Sequence, residues 1–187
     1  MKQNQLTIPF IALAVALSLA PAATPAHADA PSDSAHPVVS EHLKDFKGTA
    51  FEMRQEAATL HSHTSGKRMA WQTHTQSLAA LKQQVNDLGR TLAELEQLKA
   101  VSGETQQMAI ENARTHLLAV AQNLTLAIEM VNENRSSIVH GDYADAVRNI
   151  QEYTASLYEK VDTLLDYEAT RMRLDNLELQ LVVNEGS

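Results

Sequence analysis

The chain has 187 residues, contains no cysteine and carries a formal net charge of -8 at pH 7. The absence of cysteine excludes disulfides, thiolate metal sites and covalent c-type haem attachment. The negative charge disfavours nucleic acid and anionic lipid head groups as partners. Hydrophobic residues make up 44% of the chain and aromatic residues only 4%, which favours helices packed through aliphatic side chains over a β-sheet.

Residues 1–28 have the three parts of a secretory signal peptide. Lys2 supplies a positive start, Ile8 to Ala20 form an apolar stretch, and Ala26-His27-Ala28 places small residues before a cleavage point. The apolar stretch is too short to span a bilayer, which takes about 20 helical residues. We therefore expect cleavage after Ala28 and a periplasmic or secreted protein without membrane insertion.

The rest of the chain is predicted to hold one domain. Residues 29–39 are rich in Ala, Pro, Ser and Asp, a composition typical of a flexible tether. Residues 40–183 follow with apolar residues at alternating spacings of three and four, which is the period of packed α-helices. Residues 184–187 are expected to be a disordered C-terminus.

The first two helical segments have regular apolar faces. In the first, we expect Ser40 to be the N-cap, with apolar positions from Leu43 to Leu60 and a turn over residues 61–66. The second segment has the most regular seam of the chain. It consists of Trp71, Leu78, Leu81, Val85, Leu88, Leu92 and Leu95, with His74 in the one remaining place.

The third segment is predicted from about Glu104 to Val139, with Leu118 as part of a broad apolar face. It ends in a polar stretch at residues 132–137, which we interpret as a solvated helix end, with a polar recognition tip for a ligand or partner as the alternative. The fourth segment is predicted to pack through one long face. This face consists of Val147, Ile150, Tyr153, Leu157, Val161, Leu164, Tyr167, Leu174, Leu177 and Leu181.

Short connections between the segments favour antiparallel neighbours. The predicted fold class is therefore all-α, an antiparallel up-down four-helix bundle with long coiled-coil-like helices. The pattern gives the first helix about 24 residues and the others about 35. Such a mismatch would leave part of a three-helix seam open, so we expect a homodimer or a protein partner to cover it.

Three histidines are the candidates for a metal site. His61, His63 and His74 lie near one another in sequence with Met69 between them, and imidazole and thioether groups bind copper, nickel or zinc. A haem held by these residues is a further alternative. The competing interpretation, which the pattern favours, is that the first two are solvated in a turn and that His74 is a polar core residue that fixes register.

The sequence contains no pattern typical of an enzyme. It has no GxSxG elbow, no glycine-rich phosphate loop and no Glu-x-x-His pair of the kind that binds two irons. We therefore expect a non-enzymatic helical bundle, without a cofactor, that acts through protein–protein contacts. A scaffold, a chaperone-like binder and a sensor all fit this description.

Three stretches of the chain carry a resemblance to a known group of proteins. They are AFEMRQEA at residues 50–57, MAWQTH at residues 69–74 and VNENR at residues 131–135. In these stretches the chain resembles a group of uncharacterised small exported bacterial helical proteins. The resemblance implies a helical exported protein and implies no activity.

Overall fold

The computed structural model describes residues 36–65, 70–139 and 141–185. The predicted signal peptide, most of the predicted tether and Met69 lie outside these residues. Four α-helices make up nearly all of the described chain. They are α1 (Pro37–Ser65), α2 (Trp71–Gln97), α3 (Glu104–Glu133) and α4 (Gly141–Glu185), with short 3₁₀ helices at Lys99–Val101 and Arg135–Val139 in the last two connections.

The helices form the predicted all-α four-helix bundle. Each helix packs against its neighbours in the order α1, α2, α3, α4, and α4 returns to pack against α1. The diagonal pairs, α1 with α3 and α2 with α4, pack together much less. Because the connections join neighbouring ends, adjacent helices are antiparallel and the helices of each diagonal pair run the same way.

The core is aliphatic, as the composition predicts. Five of the seven apolar seam residues predicted for α2 are buried, and Leu92 packs against the core from its edge. One prediction for α3 is wrong. Leu118 was expected on the broad apolar face, but it is half exposed, whereas Leu117 is buried. Consecutive residues on a helix point about 100° apart, and at this pair Leu117 is the one on the core face.

Helix α1 is longer at both ends than the pattern predicts. It begins at Pro37, and proline suits a first helical turn because the nitrogen there has no helical acceptor. Ser40 is therefore not the N-cap but a buried residue inside the helix. At the other end α1 continues to Ser65, so that His61 and His63 are helical rather than part of a turn.

The mismatch in helix length lies in α4 and not in α1. Helices α1, α2 and α3 have 29, 27 and 30 residues, whereas α4 has 45 and reaches Glu185. At about 1.5 Å per residue, α4 is about 68 Å long and outruns the bundle. None of the helices in the described ranges is long and apolar enough to cross a membrane.

The predicted face of α4 merges two different stripes. The buried positions continue from Leu157 through Val161 and Leu165 to Glu168, whereas Tyr167 is more than half exposed. The predicted face instead continued from Val161 in steps of three residues, to Leu164 and then to Tyr167. Each such step rotates the direction of the side chain by about 60° around the helix axis. Two such steps leave the core face, so the burial predicted for Tyr167, Leu174, Leu177 and Leu181 is wrong. The burial predicted for Tyr153, three residues after Ile150, is also wrong, because Thr154 is the buried residue there.

Candidate functional site

One end of the bundle holds a buried hydrogen bond across its diagonal. His74, at the start of α2, is only 2% exposed, and its Nδ1 lies 3.0 Å from the hydroxyl oxygen of Tyr143 at the start of α4. The two rings meet edge to face with centroids 5.6 Å apart. His63, in the last turns of α1, places its ring 6.3 Å from that of His74, also edge to face.

Burial keeps both members of this pair uncharged. It lowers the pKa of His74, to which the nearby charge of His63 adds a smaller decrease, and it raises the pKa of Tyr143. An uncharged imidazole and a protonated phenol can share their hydrogen bond without an ion in the core. We therefore interpret the pair as a structural tie between α2 and α4, which otherwise have little contact.

A cation–π contact lies beside this end. The guanidinium carbon of Arg135, in the connection between α3 and α4, lies 4.1 Å from the ring centroid of Trp71. Such contacts contribute about 0.5–1 kcal/mol when exposed to solvent. The contact therefore fastens the connection against the first residue of α2.

The three candidate metal ligands are not brought together as a set. His63 and His74 adjoin, but His61 and His63 are two residues apart on α1 and project about 200° apart around the helix axis. Among the described residues there is no cluster of three or more His, Cys, Asp or Glu side chains placed to hold a metal ion. Met69 lies outside those residues, so a metal or haem site remains a sequence prediction.

The opposite end of the bundle holds a second buried polar cluster. The side-chain oxygen of Gln106, in the first turn of α3, accepts hydrogen bonds from the backbone N–H groups of His36 and Gly103, at 3.0 and 3.2 Å. Its side-chain nitrogen donates to the His36 carbonyl at 3.0 Å and to Ser40 Oγ at 2.9 Å. Ser40 Oγ donates in turn to Glu168 Oε2 at 3.2 Å.

This second cluster joins the other diagonal pair. Gln106 is 1% exposed, and its amide is fully engaged by α1 and by the cap of its own helix. Glu168, 7% exposed, adds a link from α4 through Ser40. The two ends thus tie α1 to α3 and α2 to α4, and their polar groups serve the packing of the bundle.

Two surface features lie along the sides of the bundle. Phe51 and Tyr158 pack their rings 5.6 Å apart between α1 and α4, and the guanidinium of Arg54 lies 4.4 Å from the centre of the tyrosine ring. A shallow groove between α2 and α3 has Leu78 and Ile128 among the residues that line it. Each of these features covers a junction between neighbouring helices, so packing alone accounts for it.

The last part of α4 is the main exposed apolar surface of the described chain. Among the side chains that the structure describes, none on α4 after Glu168 is buried. We call residues 169–185 the α4 extension, and it reaches about 25 Å past the bundle. Its exposed large apolar side chains are Met172, Leu174, Leu177, Leu179 and Leu181. Exposed apolar residues in such a group are typical of an interaction site.

Two stripes divide these side chains. Met172 and Leu179 continue the buried face of α4 beyond the end of the bundle. Tyr167, Leu174, Leu177 and Leu181 form a separate line, which we call the outer stripe, and each of the four is more than half exposed. The outer stripe begins alongside the bundle, on the side of α4 that faces solvent. It is the candidate functional site.

No family model, curated protein or solved structure matches this chain. Its function therefore has to be argued from the positions of its own side chains.

The sequence contained signals for two residues that the pattern analysis missed. Tyr143 lies four residues before Val147, so one backward step along the α4 face would have placed it in the core. Glu168 lies three residues after Leu165, which is itself buried but which the predicted face passed over in favour of Leu164. Both are polar or carry a hydroxyl, and an apolar pattern search passes over such residues although their spacing is right.

Proposed function

We propose that this protein is a non-enzymatic helical bundle that acts through protein–protein contacts in the periplasm or outside the cell. A scaffold, a chaperone-like binder and a sensor are all roles of this class. The single observation that carries the proposal is the α4 extension, which reaches about 25 Å beyond the bundle and holds apolar side chains in solvent.

The helical state of the extension supports this proposal. A long isolated helix in water gains most of its stability from packing of an apolar face, and here that face has no cover from the other three helices. Five large apolar side chains held in solvent are unfavourable unless a partner removes them from water. A protein surface can supply such cover.

The two polar clusters support the non-enzymatic part of the proposal. His74, Tyr143, Gln106 and Glu168 are the buried groups with chemistry of their own, and each takes part in a hydrogen bond that joins helices. They lie inside the ends of the bundle, and none of them lines the groove between α2 and α3. A substrate would have to separate helices to reach them.

Photo-crosslinking tests the proposal in the cell envelope. A photoreactive residue replaces Leu177 on the extension, and a matched variant carries it at Leu126, an equally apolar and half-exposed position on α3. We expect a protein adduct, either with this chain or with another, from position 177 and a much weaker one from position 126. Equal or absent adducts at the two positions would contradict a role for the extension in protein contact.

A further inference from the structure

The outer stripe has the spacing of a coiled-coil seam. Tyr167, Leu174 and Leu181 are seven residues apart and take heptad position a, while Thr170 and Leu177 take position d. The stripe thus covers more than two heptads in a helix that the bundle already nucleates.

The bundle leaves this seam open. Leu165 and Glu168, the last buried residues of α4, occupy heptad positions f and b, which lie on the side of a helix opposite to a and d. Helices α1 and α3 therefore pack against the back of α4. A partner helix can approach the outer stripe without displacing them.

The charges beside the seam indicate the identity of the partner. Asp166 and Arg173 occupy position g of successive heptads, and Arg171 and Glu178 occupy position e of the heptad that follows each of them. In a parallel two-stranded coiled coil, position g of one helix faces position e of the following heptad in the other. A second copy would place Asp166 opposite its Arg171 and Arg173 opposite its Glu178, and symmetry makes each attractive pair twice.

We propose that the outer stripe of α4 forms a parallel, two-stranded coiled coil with a second copy of this chain. The inference rests on the proposed function and names its partner. Lys160, exposed at the preceding a position, would meet its own copy and repel it, so the coil begins at Tyr167 and the two bundles diverge. So short a seam buries little area, and the dimer is expected to be a weak one.

The antiparallel alternative satisfies fewer charges. In that arrangement e faces e and g faces g, so Arg171 could still meet Glu178 of the second copy. Arg173, however, would face Gln180 or another Arg173, and Asp166 would lose its pairing with Arg171. In that arrangement position a of one helix also faces position d of the other, so the apolar Leu181 would lie opposite the polar Thr170.

A charge swap on the full chain distinguishes these arrangements. Sedimentation equilibrium measures dimerisation of the mature wild type, of R173E and E178R, and of the double variants R173E/E178R and R171E/E178R. Each single variant turns two attractive pairs into two repulsive ones and should weaken the dimer about tenfold. The double variant restores opposite charges across a parallel seam and should recover wild-type affinity. Recovery by R171E/E178R but not by R173E/E178R would overturn the parallel arrangement.

A second pair of variants tests the apolar seam. L174D/L181D should be monomeric at all concentrations, whereas L118D/L126D, on the exposed face of α3, should dimerise like the wild type. Circular dichroism of each variant tests whether the bundle is still folded. Loss of dimer in both variants, a monomeric wild type, or a trimer or tetramer would overturn the proposal.

A disulfide trap measures the register directly, because the chain has no cysteine of its own. L181C should form a covalent dimer on mild oxidation, since equivalent a positions meet in a parallel seam. L126C is the control and should stay monomeric. If photo-crosslinking at Leu177 instead traps a different protein and L181C remains monomeric, the second copy is ruled out while the proposed function stands.

Discussion

At the scale of single residues, the bond between His74 and Tyr143 can be separated into its two halves. Tyr143→Phe removes the hydroxyl but leaves the buried His74 Nδ1 without a partner, and we expect it to lower the free energy of unfolding by about 1–3 kcal/mol. Adding His74→Leu removes the orphaned group and should recover part of this loss. Urea denaturation of the wild type, of each single variant and of the double variant completes the double-mutant cycle.

The control for this cycle is Tyr153→Phe on the solvent side of α4. That hydroxyl belongs to an exposed residue, so the substitution should change stability by less than about 0.5 kcal/mol. If the double variant is no more stable than Tyr143→Phe alone, the hydrogen bond does not account for the effect.

The same histidine makes stability depend on pH. Burial, with a smaller contribution from the charge of His63, lowers its pKa in the folded state below the ordinary value of 6.5. Between those two pKa values the unfolded chain binds more protons, so the free energy of unfolding falls as the pH drops below 6.5. Each unit of pKa difference corresponds to about 1.4 kcal/mol.

Chemical denaturation between about pH 5 and 7.5 measures this dependence. The wild type should lose stability over the window, and H74L/Y143F should lose less because it has neither the buried imidazole nor an unpaired hydroxyl. His63 and Tyr143 are the titratable groups that adjoin His74 from α1 and α4. Identical slopes for the two proteins would show that His74 is not the group responsible.

Gln106 is the residue on which the other end of the bundle depends. Gln106→Leu removes the partner of the His36 backbone groups and of the Gly103 N–H, and it leaves Ser40 with only its bond to Glu168, at a site that is largely buried. We expect a loss of about 2–4 kcal/mol, because several polar groups are left unpaired at once.

The matched control is Gln97→Leu, which makes the same change on the exposed end of α2. It should change the free energy of unfolding by less than about 0.5 kcal/mol. Thermal and urea unfolding of both variants provide the comparison. Similar values would mean that the hydrogen bonds of Gln106 contribute little net stability.

At the scale of helices, the two parts of α4 have different effects on stability. Leu157 is fully buried and Leu177 is more than half exposed. Leu157→Ala should lower the free energy of unfolding by about 2–5 kcal/mol through lost burial and a cavity. Leu177→Ala should change it by less than about 0.5 kcal/mol in the monomer, since no buried surface is lost.

These variants are compared at protein concentrations low enough to keep the chain monomeric. At higher concentration Leu177→Ala should also destabilise the protein, because dimerisation stabilises only the folded state. A large loss from Leu177→Ala at every concentration would mean that the extension packs against its own bundle.

At the scale of the whole molecule, the helical period alone predicted the fold class and most of the core. Positions such as Leu78, Leu81 and Val85 could be assigned because their helix keeps one face inward for its whole length. The pattern failed on α4, where a second apolar stripe begins before the buried one ends. The sequence pattern around an apolar residue such as Leu174 is the same whether its side chain packs inside the bundle or against a partner. Which of the two applies depends on where the neighbouring helices end.

The buried polar clusters were out of reach for a related reason. Whether Gln106 or Glu168 lies inside depends on which helix end comes opposite, and that requires the relative lengths of all four helices. His74 was placed correctly because it fills a gap in an otherwise complete seam. Its partner Tyr143 comes from the diagonal helix, and no local spacing connects the two.

Native mass spectrometry of the protein, purified gently from its own cell envelope, tests the whole-molecule predictions together. We expect a chain that begins at Asp29 after removal of the signal peptide, present as monomer and dimer and without bound metal. The metal-free state is expected because His74 Nδ1 is held by Tyr143 and because His61 and His63 project apart around α1.

A retained metal or haem that disappears in H61A/H63A/H74A would establish the histidines as ligands and would require the turns around them to rearrange on binding. A chain that keeps residues 1–28 would contradict export through a cleaved leader, whereas the helical contacts in the bundle would be unaffected by that result.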